Sequence, residues 1–94
     1  MRIIEINRDM DAAAMAEMTP MFEELAASDE NICFDLRGVG FVDSSGVGGL
    51  VFVLKRLRTR ALSVTLCNVK GQPLRLLRQL RLEFLLEAGP PATT

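Results

Sequence analysis

The middle of the chain carries a strand–turn–helix pattern that constrains the fold more than any other feature. An apolar run at residues 32–36 is followed by turn-prone residues at 37–40 and by an acidic, hydroxyl-rich stretch at 43–45. Apolar residues from 50 to 57 then recur with the three- and four-residue spacing of a helix that buries one face. Residues 43–45 therefore lie where a helix begins and its first backbone N–H groups lack intrahelical partners.

The segments on either side predict further strands and helices. Residues 2–6 and 63–67 have the composition and alternation of strands, and Pro73 marks the start of another helix. Strands that alternate with helices are typical of a mainly parallel sheet with right-handed crossovers. We therefore predict a small single α/β domain over residues 1–88, with a mainly parallel mixed β-sheet and packed α-helices, and a flexible C-terminal tail at residues 89–94.

A proline divides the first helical segment. Proline fits the first turn of a helix and disrupts its interior. The sequence therefore predicts Thr19 as an N-cap and Pro20 as the start of a helix that runs to about Ala27. Met15 and Met18 are then expected in a short preceding turn of helix.

Composition excludes several classes of function. The formal net charge is −1, so the chain has no overall electrostatic footprint for nucleic acid or an anionic membrane. The sequence contains no histidine, so a Ser-His nucleophile cannot be built, and no enzyme activity is predicted. No cofactor or metal is predicted. No apolar run has the length of a membrane span, and a cytoplasmic location is expected.

Two cysteines lie in predicted strands. Cys33 and Cys67 both stand in apolar runs, which predicts buried thiols in a reducing compartment. A disulfide or a redox role is the alternative.

Glycines and arginines leave two further questions open. Gly46, Gly48 and Gly49 each lower helix propensity by about 1 kcal/mol relative to alanine, and close approach of a partner or of neighbouring backbone would explain them. A row of arginines in the last helix recurs every third residue, at Arg75, Arg78 and Arg81. It is either a solvated face or part of a docking surface.

The central motif resembles the signature of a known family. Asp43-Ser44-Ser45-Gly46-Val47-Gly48, followed by an apolar helix with a basic end, is similar to the STAS family over residues 32–84, and within it to bacterial anti-sigma factor antagonists. The resemblance implies that Ser44, directly after the aspartate, is phosphorylated by a partner kinase that is also an anti-sigma factor. It further implies that the six motif residues form the partner-binding surface and that a phosphatase resets the switch.

The resemblance leaves alternatives. Asp43 and Ser45 would otherwise simply cap the helix, with Ser44 unmodified. STAS domains also serve as subunits that bind ABC-type lipid-transport ATPases without a phosphoswitch. Family members usually open with a pair of strands, whereas this chain has room for one, and the exposed sheet edge would favour a homodimer.

Overall fold

Strands and helices alternate along the chain, as the sequence pattern predicts. The structure, a computed structural model, describes residues 1–86, so the predicted tail at 89–94 lies outside the described residues. The regular elements are β1 (Arg2–Glu5), α1 (Ala12–Ala26), β2 (Ile32–Asp35), α2 (Ser44–Arg58), β3 (Val64–Cys67), α3 (Gly71–Gln79) and a 3-10 helix (Glu83–Leu85).

The strands form one parallel sheet in the order β1-β2-β3. Ile4 pairs with Phe34, and Phe34 in turn pairs with Leu66. Right-handed crossovers between sequential parallel neighbours place α1 and α2 on the same face of this sheet. The predicted α/β fold is confirmed, and the strands of residues 1–86 pair only in parallel.

The core lies between the sheet and these helices. The rings of Phe22 on α1 and Phe34 on β2 stack with their centroids 5.4 Å apart. Leu57 of α2 and Leu66 of β3 are also fully buried. Side chains alternate along a strand, so the opposite face of the sheet carries the residues between them. On β2 and β3 those residues are Cys33, Asp35, Thr65 and Cys67.

The predicted break at Pro20 is wrong. Helix α1 is continuous from Ala12 to Ala26 with Pro20 inside it, and its N-cap is Asp11, not Thr19. A proline inside a helix costs about 3 kcal/mol. The apolar face on both sides of Pro20 outweighs that cost, since each large apolar side chain that it buries contributes about 1.5–3 kcal/mol. Proline has no N–H to donate to the carbonyl of Ala16, four residues earlier. Ala16 and Pro20 are both exposed, so water can bond to that carbonyl instead.

Strand β1 forms one edge of the sheet. Arg2 N donates to Asn31 O and Ile6 N donates to Asp35 O, so the N–H groups of Ile3 and Glu5 point away from β2. The Ile3 side chain is 66% exposed. This edge is where the predicted homodimer would form.

The sheet contains one polar atom whose replacement should stabilise the protein. Thr65 Oγ1 is buried and has no hydrogen-bond partner among residues 1–86. Thr65→Val removes this hydroxyl and keeps a β-branched side chain, so we expect the free energy of unfolding to rise by about 1 kcal/mol and the melting temperature by about 4–8 °C. Differential scanning calorimetry measures both. Thr65→Ser keeps the hydroxyl and should be less stable than the wild type; a Val variant no more stable than Ser would contradict the assignment.

Candidate functional site

Asp43 caps helix α2. Its backbone is extended, and its Oδ1 accepts hydrogen bonds from Ser45 N at 2.8 Å and from Gly46 N at 3.2 Å. One carboxylate thus satisfies two of the N–H groups that the first turn leaves without partners. Of the alternative interpretation, in which Asp43 and Ser45 simply cap the helix, the part that concerns Asp43 is confirmed. The Ser45 side chain takes no part in it.

Ser44 occupies the first position of α2 and is exposed. Its hydroxyl makes no hydrogen bond with any of residues 1–86, because Asp43 already caps the helix. The other motif residues differ in access. Gly48 is exposed one turn further along the same face, Ser45 is half-buried, and Gly46 and Val47 are buried. The motif therefore presents a surface centred on Ser44 and Gly48, and Gly46 and Val47 hold it against the core.

The segment before Ser44 is held from two sides. Gln72, at the start of α3, donates from Nε2 to Val42 O at 2.8 Å and accepts from Val42 N at 2.9 Å. On the other side, Met10 N donates to Phe41 O and Asp43 N donates to Met10 O. Val42 and Met10 are both buried. Residues that are distant in the sequence therefore fix the backbone that leads into Ser44.

Two of the three helix glycines are explained by packing. A Cβ on Gly46 would lie 2.6 Å from Met10 O, and a Cβ on Gly49 would meet Met15 Cε. A Cβ on Gly48 would meet nothing within 4 Å. The Met10 backbone thus requires glycine at 46. At 49 a side chain would be crowded by Met15 and Phe22, but the flexible end of Met15 can move aside, whereas Gly48 leaves the surface beside Ser44 flat and open.

A groove runs along the seam between α1 and α2. Its first part has a volume of about 380 Å³, begins at Ser45 and is lined by Met15, Phe22 and Phe52. A second part of about 420 Å³ shares Phe52 with it and ends at Arg60. The two parts share Glu23 and Phe52, so together they border α2 from Ser45 to its basic end.

The two ends of α2 differ in charge. Asp43 lies at the Ser44 end, and Met10, whose backbone is hydrogen-bonded to Asp43, has acidic neighbours in the sequence, Asp9 and Asp11. The basic residues at the other end make specific contacts: the Arg56 guanidinium lies over the Phe52 ring and that of Arg58 over the Phe84 ring. Arg60 Nη2 donates to Ala26 O at 2.7 Å and to Ser28 O at 2.6 Å. It thereby satisfies carbonyl groups at the C-terminal end of α1.

Asp35 ties the loop before the motif to β3. Burial alone would raise its pKa, but hydrogen bonds from Arg37 N and from Asn68 Nδ2, together with the Arg37 charge, hold the pKa below the ordinary value of 3.8. The bond from Asn68 joins the end of β2 to the turn that follows β3. The ionised form of Asp35 is therefore favoured by folding.

The lowered pKa predicts an acid-sensitive contribution to stability. The contribution is fully present above the ordinary pKa of 3.8 and is lost as the pH falls through the lower folded value. Asp35→Asn keeps the shape without the charge, so we expect wild type to be more stable near neutral pH and the difference to shrink below about pH 4. Denaturant titrations of both proteins between about pH 6 and about pH 2.5 measure it. A difference independent of pH would contradict the role of the Asp35 charge.

Sequence reasoning missed Gln72. It placed this residue in a loop, and a single glutamine before a proline gives no signal of contact with Val42. The predicted arginine row in the last helix is only partly right: Arg75 and Arg78 are exposed on α3, but Arg81 follows the end of the helix with a left-handed backbone. Residues 1–86 contain no cluster of three His, Cys, Asp or Glu side chains that could hold a metal ion. No helix among them combines the length and the hydropathy needed to cross a bilayer.

Fold and site together define a small α/β domain whose second helix begins with a capping aspartate and an exposed serine. The STAS domain family model matches residues 1–92, and the chain belongs to that family. No curated protein gives a significant match.

Solved structures with the same fold come from two settings. SpoIIAA, an anti-sigma factor antagonist solved in its unphosphorylated form, superposes with a TM-score of 0.77 at 19% identity, over 90% of this chain and 76% of its own. The phosphorylated form of the Bacillus cell fate determinant SpoIIAA gives 0.71 at 19% identity, over 90% and 78%. A sulfate transporter family protein from Wolinella succinogenes gives 0.72 at 16% identity, over 92% and 70%. At these identities the likeness establishes the fold.

Proposed function

We propose that the protein is an anti-sigma factor antagonist whose binding to a kinase-type anti-sigma factor is switched off by phosphorylation of Ser44. One observation carries the proposal: Asp43 caps α2, so the exposed Ser44 hydroxyl is not needed by the fold and is open to a visiting protein. The SpoIIAA structures support it, since they have the same fold and one of them is a phosphorylated form. The protein acts as substrate and switch, not as catalyst.

In the unmodified state the partner docks on the start of α2. Ser44 and Gly48 are exposed on one face, and the groove that begins at Ser45 offers apolar surface beside them. The missing side chain at Gly48 lets a partner backbone approach closely. Binding there occupies the anti-sigma factor and releases its sigma factor.

Phosphorylation then dissociates the complex by electrostatic repulsion. The partner transfers the γ-phosphoryl group of ATP to Ser44 Oγ, the serine proton leaves, and ADP remains on the partner. Phosphoserine adds about −1.5 to −2 charges at neutral pH. At a helix N-terminus the fold tolerates this charge. In the complex it lies beside Asp43 and faces the anionic nucleotide of the partner. No rearrangement of the domain is required.

The proposal includes a cytoplasmic setting, a phosphatase that restores Ser44, and no direct contact with nucleic acid or membrane. A homodimer through the free edge of β1 is a separate part of it. Size-exclusion chromatography with light scattering tests the dimer, and Ile3→Lys on that edge should abolish it.

A transport-associated role is the second candidate. The likeness to a sulfate transporter family protein supports a STAS module of a transport system. The family resemblance offers a subunit of an ABC-type lipid-transport ATPase as one such module. The same surface would then bind an ATPase of that class, and Ser44 would stay unmodified.

The deciding experiment incubates the purified protein with ATP and each histidine-kinase-like ATPase encoded near its gene. Intact-mass and fragment analysis should find one phosphate, on Ser44. Ser44→Ala should abolish it, and Ser45→Ala, its neighbour and matched control, should retain it. Capture of an ABC-type ATPase without any phosphate on Ser44 would instead select the transport role.

A further inference from the structure

We propose that Cys33 and Cys67 are a dithiol pair that a hydroperoxide oxidises to an intramolecular disulfide across β2 and β3. The inference is independent of the role proposed for Ser44. It concerns the face of the sheet that α1 and α2 do not cover.

The strand register brings the two sulfurs together. Cys33 pairs with Thr65 and Asp35 pairs with Cys67, so the cysteines stand diagonally on neighbouring strands with their side chains on the same face. Their Sγ atoms are 3.3 Å apart. A disulfide requires about 2.05 Å. The sulfurs therefore have to approach by about 1.2 Å, and because diagonal positions on neighbouring strands lie about 7–8 Å apart, the bond also requires the backbone at this end of the two strands to move.

The two thiols differ in access. Cys33 is 2% exposed, whereas Cys67 is half-buried at the end of β3. Asn68 Nδ2 lies 3.9 Å from Cys67 Sγ, so a donor is near this sulfur as well. Cys67 is thus the thiol that an oxidant reaches, and Cys33 is placed to resolve it.

The chemistry balances in two steps. The Cys67 thiolate attacks one oxygen of the hydroperoxide, the O–O bond breaks, and a sulfenic acid forms while hydroxide (or alkoxide) leaves. The Cys33 sulfur then attacks the Cys67 sulfur, the S–O bond breaks, and water leaves with the Cys33 proton. With hydrogen peroxide, two thiols and one peroxide give one disulfide and two waters. A dithiol reductant reverses the reaction by exchange.

The bond would form beside the segments that position the site. Cys67 O accepts from Leu36 N at 3.0 Å, and Asn68 Nδ2 donates to Asp35 Oδ1 at 3.0 Å. The loop to Val42 leaves from the end of β2, and the turn to Gln72 leaves from the end of β3. A covalent link between the strands closes a long loop of chain, so we expect the melting temperature to rise by several degrees on oxidation.

The test treats the full-length protein with a few-fold excess of hydrogen peroxide, followed by alkylation under denaturing conditions. We expect the monomer to lose two hydrogen atoms, to have no alkylatable thiol, and to yield one cross-linked peptide pair. Dithiothreitol should restore both thiols. Cys33→Ala, in which the resolving thiol is absent, should accumulate a Cys67 sulfenic acid that dimedone traps.

Cys67→Ser is the matched control. Its buried Cys33 should remain alkylatable after the same treatment, and circular dichroism should show that both variants are folded. The proposal is overturned by a wild-type monomer that keeps two alkylatable thiols, that accumulates Cys67 sulfinic acid, or that forms only intermolecular disulfides. Each outcome is read on the wild-type chain, so it does not depend on the folding of a variant.

Discussion

Ser44→Asp is expected to weaken binding to the kinase-type anti-sigma factor by about 100- to 10,000-fold while the domain keeps its thermal stability. In the isolated protein the new carboxylate lies at the first position of α2, where it is exposed and where the helix dipole favours a negative charge. In the proposed complex the partner would cover the same carboxylate beside Asp43. An unpaired charge in such a position costs about 3–5 kcal/mol.

Ser44→Asn is the matched control, because it has the size of aspartate without its charge. We expect it to bind within about tenfold of wild type, since only the steric part of the block remains. Isothermal titration calorimetry with the purified partner measures both affinities, and thermal melts verify the fold. An Asp variant that binds as tightly as the Asn variant would show that charge at Ser44 does not control docking.

Gly46→Ala is expected to lower the melting temperature by about 8–16 °C, corresponding to a net loss of about 2 kcal/mol. The added Cβ would lie 2.6 Å from Met10 O and 2.8 Å from Val42 Cγ1. Met10 O belongs to backbone that is itself hydrogen-bonded to Asp43 N, so it cannot move without disturbing the capped turn. This overpacking outweighs the gain in helix propensity of about 1 kcal/mol.

Gly48→Ala is the control, two residues further along the same helix. Nothing lies within 4 Å of its new Cβ, so only the propensity gain remains. We expect the melting temperature to rise by about 4–8 °C. If both substitutions shifted the melting temperature in the same direction, the close approach at Gly46 would not be the reason for that glycine.

The parts of the site that were predictable depend on neighbours in the sequence. Asp43 and Ser44 follow an apolar strand and a turn, and they precede apolar residues at helical spacing, so a capped helix start could be predicted there. A cap forms between residues two or three positions apart, and its chemistry is visible in a short window.

The rest depends on contacts that no short window contains. Pro20 ends a helix by local rules, but the buried Phe22 continues the apolar face of α1 and keeps it intact. The bonds between Gln72 and Val42 span 30 residues. Only the assembled parallel sheet brings those two segments together, and the local sequence of neither segment predicts the contact.

The pairing of the Gln72 amide with the Val42 backbone also sets the smallest fragment that would carry the proposed switch. A peptide that ends after β3 retains the whole serine-bearing helix together with its aspartate, yet it lacks the side chain that takes up both main-chain groups of Val42. Truncated versions made for binding studies should therefore extend through α3, so that the serine is presented in its native position.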